Sequence, residues 1–193
     1  MRLIDRRESI RLDIVSITAD ARVVICQLCN KATSFEYDMI LGYPRLIDHI
    51  INFEKVTDKQ LINDIDKLGK ESLGHFQKTD NLITRLGGHP DWQASIFARL
   101  VDIETELEKQ LEKEIYARDN YREAKKVALN NRQIVKGREF FGRTFRVRSG
   151  VSEDLVSVDE ITAVFDRLIM DEERHARVVT DSLATFKALK KRA

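Results

Sequence analysis

Residues 168–179 read LIMDEERHARVV, and this stretch decides the fold class. Its apolar residues recur at the spacing of one face of a helix, and Glu172 and His175 lie on that same face, between Leu168 and Val179. A charged group at a core position is costly unless something neutralises it. The stretch therefore predicts a buried helix that points a carboxylate and an imidazole into the protein interior.

Three further segments show the same helical periodicity. With the one just quoted they run from about Asp20 to Phe53, Asp58 to Leu86, Trp92 to Asn131 and Ser157 or Asp159 to Leu189. Pro44 lies inside the first, where we expect either a kink or a division into two shorter helices. The second stops at Gly87-Gly88-His89-Pro90, a typical helix end. Four amphipathic helices predict an all-α, antiparallel four-helix bundle that forms one domain over residues 1–193.

Two stretches fall outside these segments. Residues 4–17 are expected either to extend the first helix or to form a short extra one. Residues 133–155 carry three glycines, Phe140, Phe141, Phe145 and four arginines, and they predict a long inserted loop, with or without a short hairpin. We expect this insertion to serve as an interface or a lid, and nucleic-acid binding is the less favoured alternative.

Every predicted helix carries a polar candidate on its inward stripe. Besides Glu172 and His175 these are Glu36, His75 and Glu114. Each alone has an ordinary explanation, since a carboxylate can pair with an arginine and a histidine can be a satisfied core residue. Together, three carboxylates and two imidazoles would repel and desolvate one another, and divalent cations would remove both costs. Carboxylate and imidazole ligands suit iron, with manganese as the alternative.

Several of these residues resemble the bacterioferritin and rubrerythrin branch of the ferritin-like superfamily. Residues 114–124, EIYARDNYREA, resemble the third-helix ligand region, and residues 171–175, DEERH, resemble the fourth-helix motif. The resemblance covers roughly residues 28–184 but not the insertion. It implies a bundle with one long crossover and a di-iron site in which Glu36 and Glu114 are terminal ligands. Glu172 would bridge the metals, and His75 and His175 would each cap one.

The same resemblance implies that Tyr43 and Tyr121 lie beside the metals, available as local electron donors. Each follows a ligand carboxylate by seven residues, Glu36 and Glu114 respectively, in a pattern that looks like an internal duplication.

The second helix departs from the family pattern. Ser72 stands where the family has a bridging Glu, three residues before His75. Glu71 is the nearest acid, and it could replace the missing ligand if the helix is turned or slightly unwound, or it could act as an outer partner. The sequence leaves open whether the site holds two metals, one or none.

Composition narrows the remaining possibilities. A formal net charge of +1 gives no reason to expect nucleic-acid binding, no apolar run approaches a membrane span, and the N-terminus lacks a secretory pattern, so we expect a cytoplasmic protein. Leu73 stands where bacterioferritins carry their haem-binding Met, so no haem is expected. Cys26 and Cys29 are expected to be either small buried residues or a redox pair.

These observations favour iron handling as the function. The predicted protein binds Fe(II), oxidises it with O2 or peroxide for iron storage or detoxification, and forms a homo-oligomer. The alternatives are a rubrerythrin-like peroxidase, a di-iron oxidase acting on an organic substrate, and a metal-free scaffold bundle.

Overall fold

The computed structural model describes residues 11–93, 102–140, 143–148, 151–154 and 156–192. Four long helices dominate: α1 (Ala19–Asn52), α2 (Lys59–Arg85), α3 (Ile103–Asn130) and α4 (Val158–Lys190). Each helix is preceded by an N-cap residue whose side chain accepts a hydrogen bond from the backbone amide three residues later. The N-cap residues are Thr18, Asp58, Asp102 and Ser157. The predicted all-α four-helix bundle is confirmed.

Two helix boundaries resolve questions that the sequence left open. The helix α1 continues through Pro44, so a division into two shorter helices is wrong. The prediction that the third helix starts at Trp92 is also wrong, because Asp102 caps α3 and residues 91–93 are not helical. Residues 94–101 lie outside the described part of the chain. Gly87, at φ 79°, ends α2 in a backbone conformation that few other residues adopt cheaply.

The helices are antiparallel to their packed neighbours, and α2 ends at the opposite end of the bundle from the start of α3. The α2 helix ends beside the start of α1, where the Cys26 thiol lies 3.9 Å from the Ile83 carbonyl oxygen. The α3 helix begins at the opposite end, where Ile103 packs in one cluster with Ile50 and Leu61. The end of α2 and the start of α3 therefore lie at opposite ends of the bundle, as the predicted long crossover requires.

A four-stranded antiparallel sheet lies at one end of the bundle, where the sequence predicted a loop and an extra helix. Its strands are β1 (Arg11–Ile17), β2 (Arg132–Phe140), β3 (Arg143–Arg148) and β4 (Val151–Asp154), paired in that order. The helical prediction for residues 4–17 is wrong for its described part, since residues 11–17 form β1; residues 4–10 lie outside the described chain. The predicted loop contains strands because β2 finds a partner in β1, a pairing between residues more than a hundred positions apart.

The inner part of the sheet is rooted in the bundle core. Ile17 and Val135 are buried, and the Ser16 hydroxyl donates a hydrogen bond to the Val156 carbonyl oxygen at 3.2 Å. The outer strands β3 and β4 pair with each other, and β3 pairs with the distal part of β2. The part of the insertion next to β1 therefore belongs to the core, and the outer strands β3 and β4 form an appendage to it.

Replacing residues 139–153 with a short Gly-Ser turn tests this division. We expect helix content by circular dichroism to stay within error of the intact protein, because Val135 and Val156 remain. We expect the native mass or the iron-oxidation rate to change instead, if the appendage forms an interface or a lid. A truncated protein that fails to fold would place the outer strands in the core.

None of the helices in the described part of the chain is long and apolar enough to cross a membrane.

Candidate metal centre

A layer of polar side chains divides the bundle core into two apolar clusters. One cluster surrounds Ile25, Ile83 and Phe165, and the other surrounds Leu46, Ile65 and Phe186, the latter three near the opposite ends of their helices. The fully or almost fully buried polar residues between them are Glu36, Ser72, His75, Glu114, Glu172 and His175. The structure thus brings together the five residues that the inward stripes singled out, and adds the serine.

These side chains form two facing sets of donors that share Glu172. In the first, the His75 Nδ1 atom lies 3.4 Å from Glu36 Oε1 and 2.7 Å from Glu172 Oε1. In the second, the His175 Nδ1 atom lies 3.2 Å from Glu114 Oε2 and 3.7 Å from Glu172 Oε2. The two carboxylate oxygens of Glu172 therefore face different sets, and the imidazole rings stack with centroids 5.0 Å apart.

The outer nitrogen of each imidazole contacts an acid from the other helix. His75 Nε2 lies 3.2 Å from Asp171 Oδ2, and His175 Nε2 lies 3.0 Å from Glu71 Oε2. Arg174 links the two acids, with its guanidinium 2.9 Å from Glu71 and 3.2 Å from Asp171. An acid at Nε2 favours the tautomer with its hydrogen there, which leaves the Nδ1 lone pair directed at the interior.

Asp171 was missed by the sequence reasoning, although a signal was present. Asp171 precedes His175 by four residues, as Glu71 precedes His75, so the two helices repeat the same acid-to-histidine spacing. That repeat could have identified the pair as matched outer partners.

Two buried tyrosines hydrogen-bond the remaining carboxylates crosswise. The Tyr43 hydroxyl of α1 donates to Glu114 Oε1 of α3 at 2.5 Å, and the Tyr121 hydroxyl of α3 donates to Glu36 Oε1 of α1 at 3.1 Å. Burial and the neighbouring carboxylates raise the pKa of both tyrosines well above the usual value, so both hydroxyls stay protonated donors. Thr79, another residue that the sequence did not reveal, lies 3.2 Å from the Tyr121 hydroxyl.

The buried carboxylates of the cluster have too little positive charge near them to balance their negative charge. Burial raises the pKa of Glu172 well above its usual value, and the Glu36 charge and the contact with Glu114 add to the effect. For His75, burial lowers the pKa, but the close contact and charge of Glu36 and the hydrogen bond and charge of Asp171 outweigh it, and the net shift of the pKa is upward. Such a site either takes up protons or binds a cation.

Unpartnered atoms show that the donor set fits metal ions. Within the described residues, Glu36 Oε2, both Glu172 oxygens and His75 Nδ1 are buried without a hydrogen bond. The short contact between His75 Nδ1 and Glu172 lacks hydrogen-bond alignment, so proximity alone joins them. Buried polar atoms are rarely left unpaired, and coordination to a divalent cation would satisfy all of them. Ligand atoms of His75, Glu172 and His175 all lie within 4.8 Å of one another.

The second helix does not adapt to compensate for Ser72. The unwinding that could bring Glu71 to the metals is not seen, because α2 is an uninterrupted α-helix from Lys59 to Arg85. Ser72 is fully buried on the inward face, and Glu71 is directed outward onto His175 Nε2 and Arg174. Of the two roles considered for Glu71, this geometry favours the outer partner, and its role as a ligand stays a prediction.

Comparison with solved structures identifies the architecture. A "ferritin like, diiron-carboxylate" protein from Bacillus anthracis str. Ames is 18% identical, with a TM-score of 0.60 over 86% of this chain and 99% of its own. The Desulfovibrio desulfuricans bacterioferritin, whose structure is described with a diiron site, is 16% identical, with a TM-score of 0.62 over 89% of this chain and 85% of its own. This chain has the ferritin-like fold.

A third structure shares the ferritin-like fold at a lower score. The Rhodobacter capsulatus bacterioferritin, described with a metal-free dinuclear site and a haem iron, is 20% identical, with a TM-score of 0.54 over 86% of each chain. No protein-family model matches the chain, and no curated protein matches it.

The two cysteines lie in the apolar cluster rather than in the metal layer. Both are free and buried, and burial raises the pKa of each thiol. A raised pKa disfavours the reactive thiolate, so the environment favours the packing role over the redox pair.

Proposed function

We propose that this ferritin-like protein binds two divalent iron ions inside the bundle and oxidises Fe(II) with O2 or peroxide. The observation that carries the proposal is the pair of buried donor sets that share Glu172. In each set the imidazole Nδ1 atom lies 2.7 to 3.7 Å from an oxygen of the terminal carboxylate and from an oxygen of Glu172. Donor atoms bound to one ion lie at about this separation.

The residues of the chain have distinct parts in this function. Glu36 and His75 hold one ion, Glu114 and His175 hold the other, and Glu172 joins them. Iron supplies the redox chemistry, since each Fe(II) gives one electron to the oxidant. Tyr43 and Tyr121 orient the terminal carboxylates through their hydrogen bonds and stand within reach as local electron donors. The outer acids Asp171 and Glu71 fix the orientation of the imidazoles.

The biological setting of this chemistry is also part of the proposal. We propose that the whole chain acts as one domain in a cytoplasmic homo-oligomer that stores or detoxifies iron. Manganese is the alternative metal, because the same oxygen and nitrogen donors suit it. The expectation that haem does not bind through Leu73 stays a prediction.

Anaerobic titration with Fe(II), followed by exposure to O2 or peroxide, tests the proposal. We expect two ions per chain to bind, and the ferric absorption to appear faster than in protein-free buffer. Native mass spectrometry of the same samples gives the oligomeric state and the metal count together. A protein that binds no iron and leaves the buffer rate unchanged would be the metal-free scaffold instead.

The number of iron ions bound per chain distinguishes the two possible roles of Glu71, outer partner of His175 and metal ligand. If Glu71 is the outer partner of His175, Glu71→Gln keeps both ions, since the amide oxygen still accepts from Nε2, and the affinity falls by about tenfold or less. If Glu71 is a ligand, the same substitution reduces two bound ions to one or none. Asp66→Asn, the same acid-to-amide change at a half-exposed residue of α2 that pairs with Lys70, is the control.

An apolar cavity favours an organic-substrate oxidase as a second candidate. A cavity of about 250 Å³ lies between α1 and α2, and its lining is mainly apolar: Ile40, Tyr43, Pro44, Ile47, Gly69 and Leu73, with the charged residues Asp66 and Lys70. Tyr43 contacts Glu114, so a substrate in this cavity would lie beside the metal layer. Leu73→Trp should fill the cavity. A loss of peroxide-driven oxidation of small phenols, with Fe(II) oxidation unchanged, would favour this candidate.

A further inference from the structure

The α2 and α4 helices present the same motif to the metal layer with one difference. On α4, Asp171 and Glu172 stand four and three residues before His175; on α2, Glu71 and Ser72 stand four and three residues before His75. The outer acids and the imidazoles match in their contacts as well as in their spacing. Only Glu172, the shared carboxylate, has no counterpart on α2, where a buried hydroxyl takes its place.

Ser72 has no partner of its own. Its side chain is fully buried, and its Oγ atom makes no hydrogen bond with any described residue. It shares the inward face of α2 with His75, since positions three apart on a helix lie on one face. An unpartnered buried hydroxyl is rare in proteins, and oxygens of Glu172 and Glu36 are buried without a partner as well.

The charge of the donor set is also incomplete. Glu36, Glu114 and Glu172 carry three negative charges at most, against four positive charges on two divalent ions. Glu71 and Asp171 each lie at an imidazole Nε2 atom and pair with Arg174, outside the two donor sets, so the deficit remains in this arrangement. Each donor set also supplies only a few atoms, fewer than the roughly six that a ferrous or manganous ion takes.

We propose that a small carboxylate-type anion from solution completes the site, bound to the metal ions and accepting a hydrogen bond from the Ser72 hydroxyl. This inference rests on the proposed two-metal function. Beyond Cβ, a glutamate differs from a serine by CH2COO⁻ in place of OH, a fragment of the size of acetate or formate. A monoanion with two oxygens supplies the missing charge and two of the missing donor atoms.

Titration of the metal-free protein with Co(II), in a non-coordinating buffer with and without formate, tests the inference. Co(II) is stable towards air on this timescale, and its visible absorption reports coordination number independently of activity. We expect formate to tighten binding of the second ion by about tenfold or more. Ser72→Glu should bind two ions without formate, and Ser72→Ala should lose most of the formate effect. Ser182→Ala, a buried serine of α4 outside the layer, is the control and should keep the effect.

The outcomes separate this inference from the proposed function. Two ions that bind wild type equally well with and without formate would overturn the anion while leaving the metal site intact. An equal formate effect in Ser72→Ala and wild type would remove Ser72 from the role. If no variant, including a folded Ser72→Glu, binds Co(II) with or without formate, the two-metal function itself fails. Circular dichroism establishes folding of each variant, and the wild-type formate arm decides even if Ser72→Glu does not fold.

Discussion

The double variant Glu172→Ala with His175→Ala should oxidise Fe(II) no faster than protein-free buffer. Glu172 is shared by both donor sets and His175 completes one of them, so the pair removes donors from both metal positions. Loss of a residue that only hydrogen-bonds a metal ligand often costs ten- to a hundredfold in affinity or activity. Loss of two ligands should therefore lower the oxidation rate by about a hundredfold or more. Stopped-flow absorbance of the ferric product gives the rate.

Helix content in this variant should stay largely intact, because the apolar clusters on both sides of the layer are untouched. The matched control is Glu173→Ala with Arg177→Ala, which shortens two side chains on the outer face of the same helix turns. The control should oxidise iron at the wild-type rate. Wild-type kinetics in Glu172→Ala with His175→Ala would rule out this cluster as the oxidation site.

The metal-free protein should lose thermal stability as the pH rises from about 5 to 8. The pKa of Glu172 is raised above its usual 4.5 in the folded state, and that of His75 is raised above 6.5. A group with a raised folded-state pKa contributes stability that is present below its unfolded pKa and is lost as the pH rises through the folded value. Both groups therefore act in the same direction. The pKa values of Glu114 and Asp171 are lowered, so the stability that these groups contribute is lost only as the pH falls below this window.

Bound metal should reverse this trend, because its ligands must be deprotonated. At neutral pH, an ion at about a hundred times its dissociation constant adds about 2.7 kcal/mol, and the melting temperature should rise by about 5 to 10 °C for a domain of this size. The gap between metal-loaded and metal-free protein should widen with pH. Glu172→Gln, which cannot ionise, should flatten the metal-free profile, and an unchanged slope in that variant would refute the assignment. Differential scanning calorimetry in matched buffers provides the measurement.

The helices and the inward residues could be predicted from sequence because both are periodic. An amphipathic helix repeats its buried face every three to four residues, so Glu36, His75, Glu114, Glu172 and His175 stand out as polar residues on apolar stripes. Asp171 lies off the apolar stripe, and only its repeated spacing from the histidine marks it. Thr79 lies on the inward stripe of α2, but a threonine is an ordinary core residue and does not stand out. The partners of both residues come from other helices, and no pattern within one helix shows which side chain of a neighbouring helix will be within reach.

The sheet escaped prediction for a related reason. Strand β1 pairs with β2, residue Val15 opposite Ile134, and neither strand shows its partner in its own sequence. A strand is stabilised by cross-strand contacts, so residues 11–17 have no stable extended state until residues 132–138 are beside them. Arginine-rich, glycine-containing segments look like a loop when they are considered alone.

Three features can be inferred from the sequence alone: the four helices, their inward polar residues, and the serine at position 72 of the second helix where the fourth helix has Glu172. Each of these is a local property of one helix. The tertiary structure alone sets the position of Glu172 between both donor sets and the contacts of Glu71 and Asp171 with the imidazole of the other helix. It also sets the crossed hydrogen bonds of Tyr43 and Tyr121, each to a carboxylate of the other's helix, and the formation of a sheet by the insertion. Those features depend on the distances between helices that the apolar clusters fix. Side chains from four helices meet only once the packing has set which turns lie side by side.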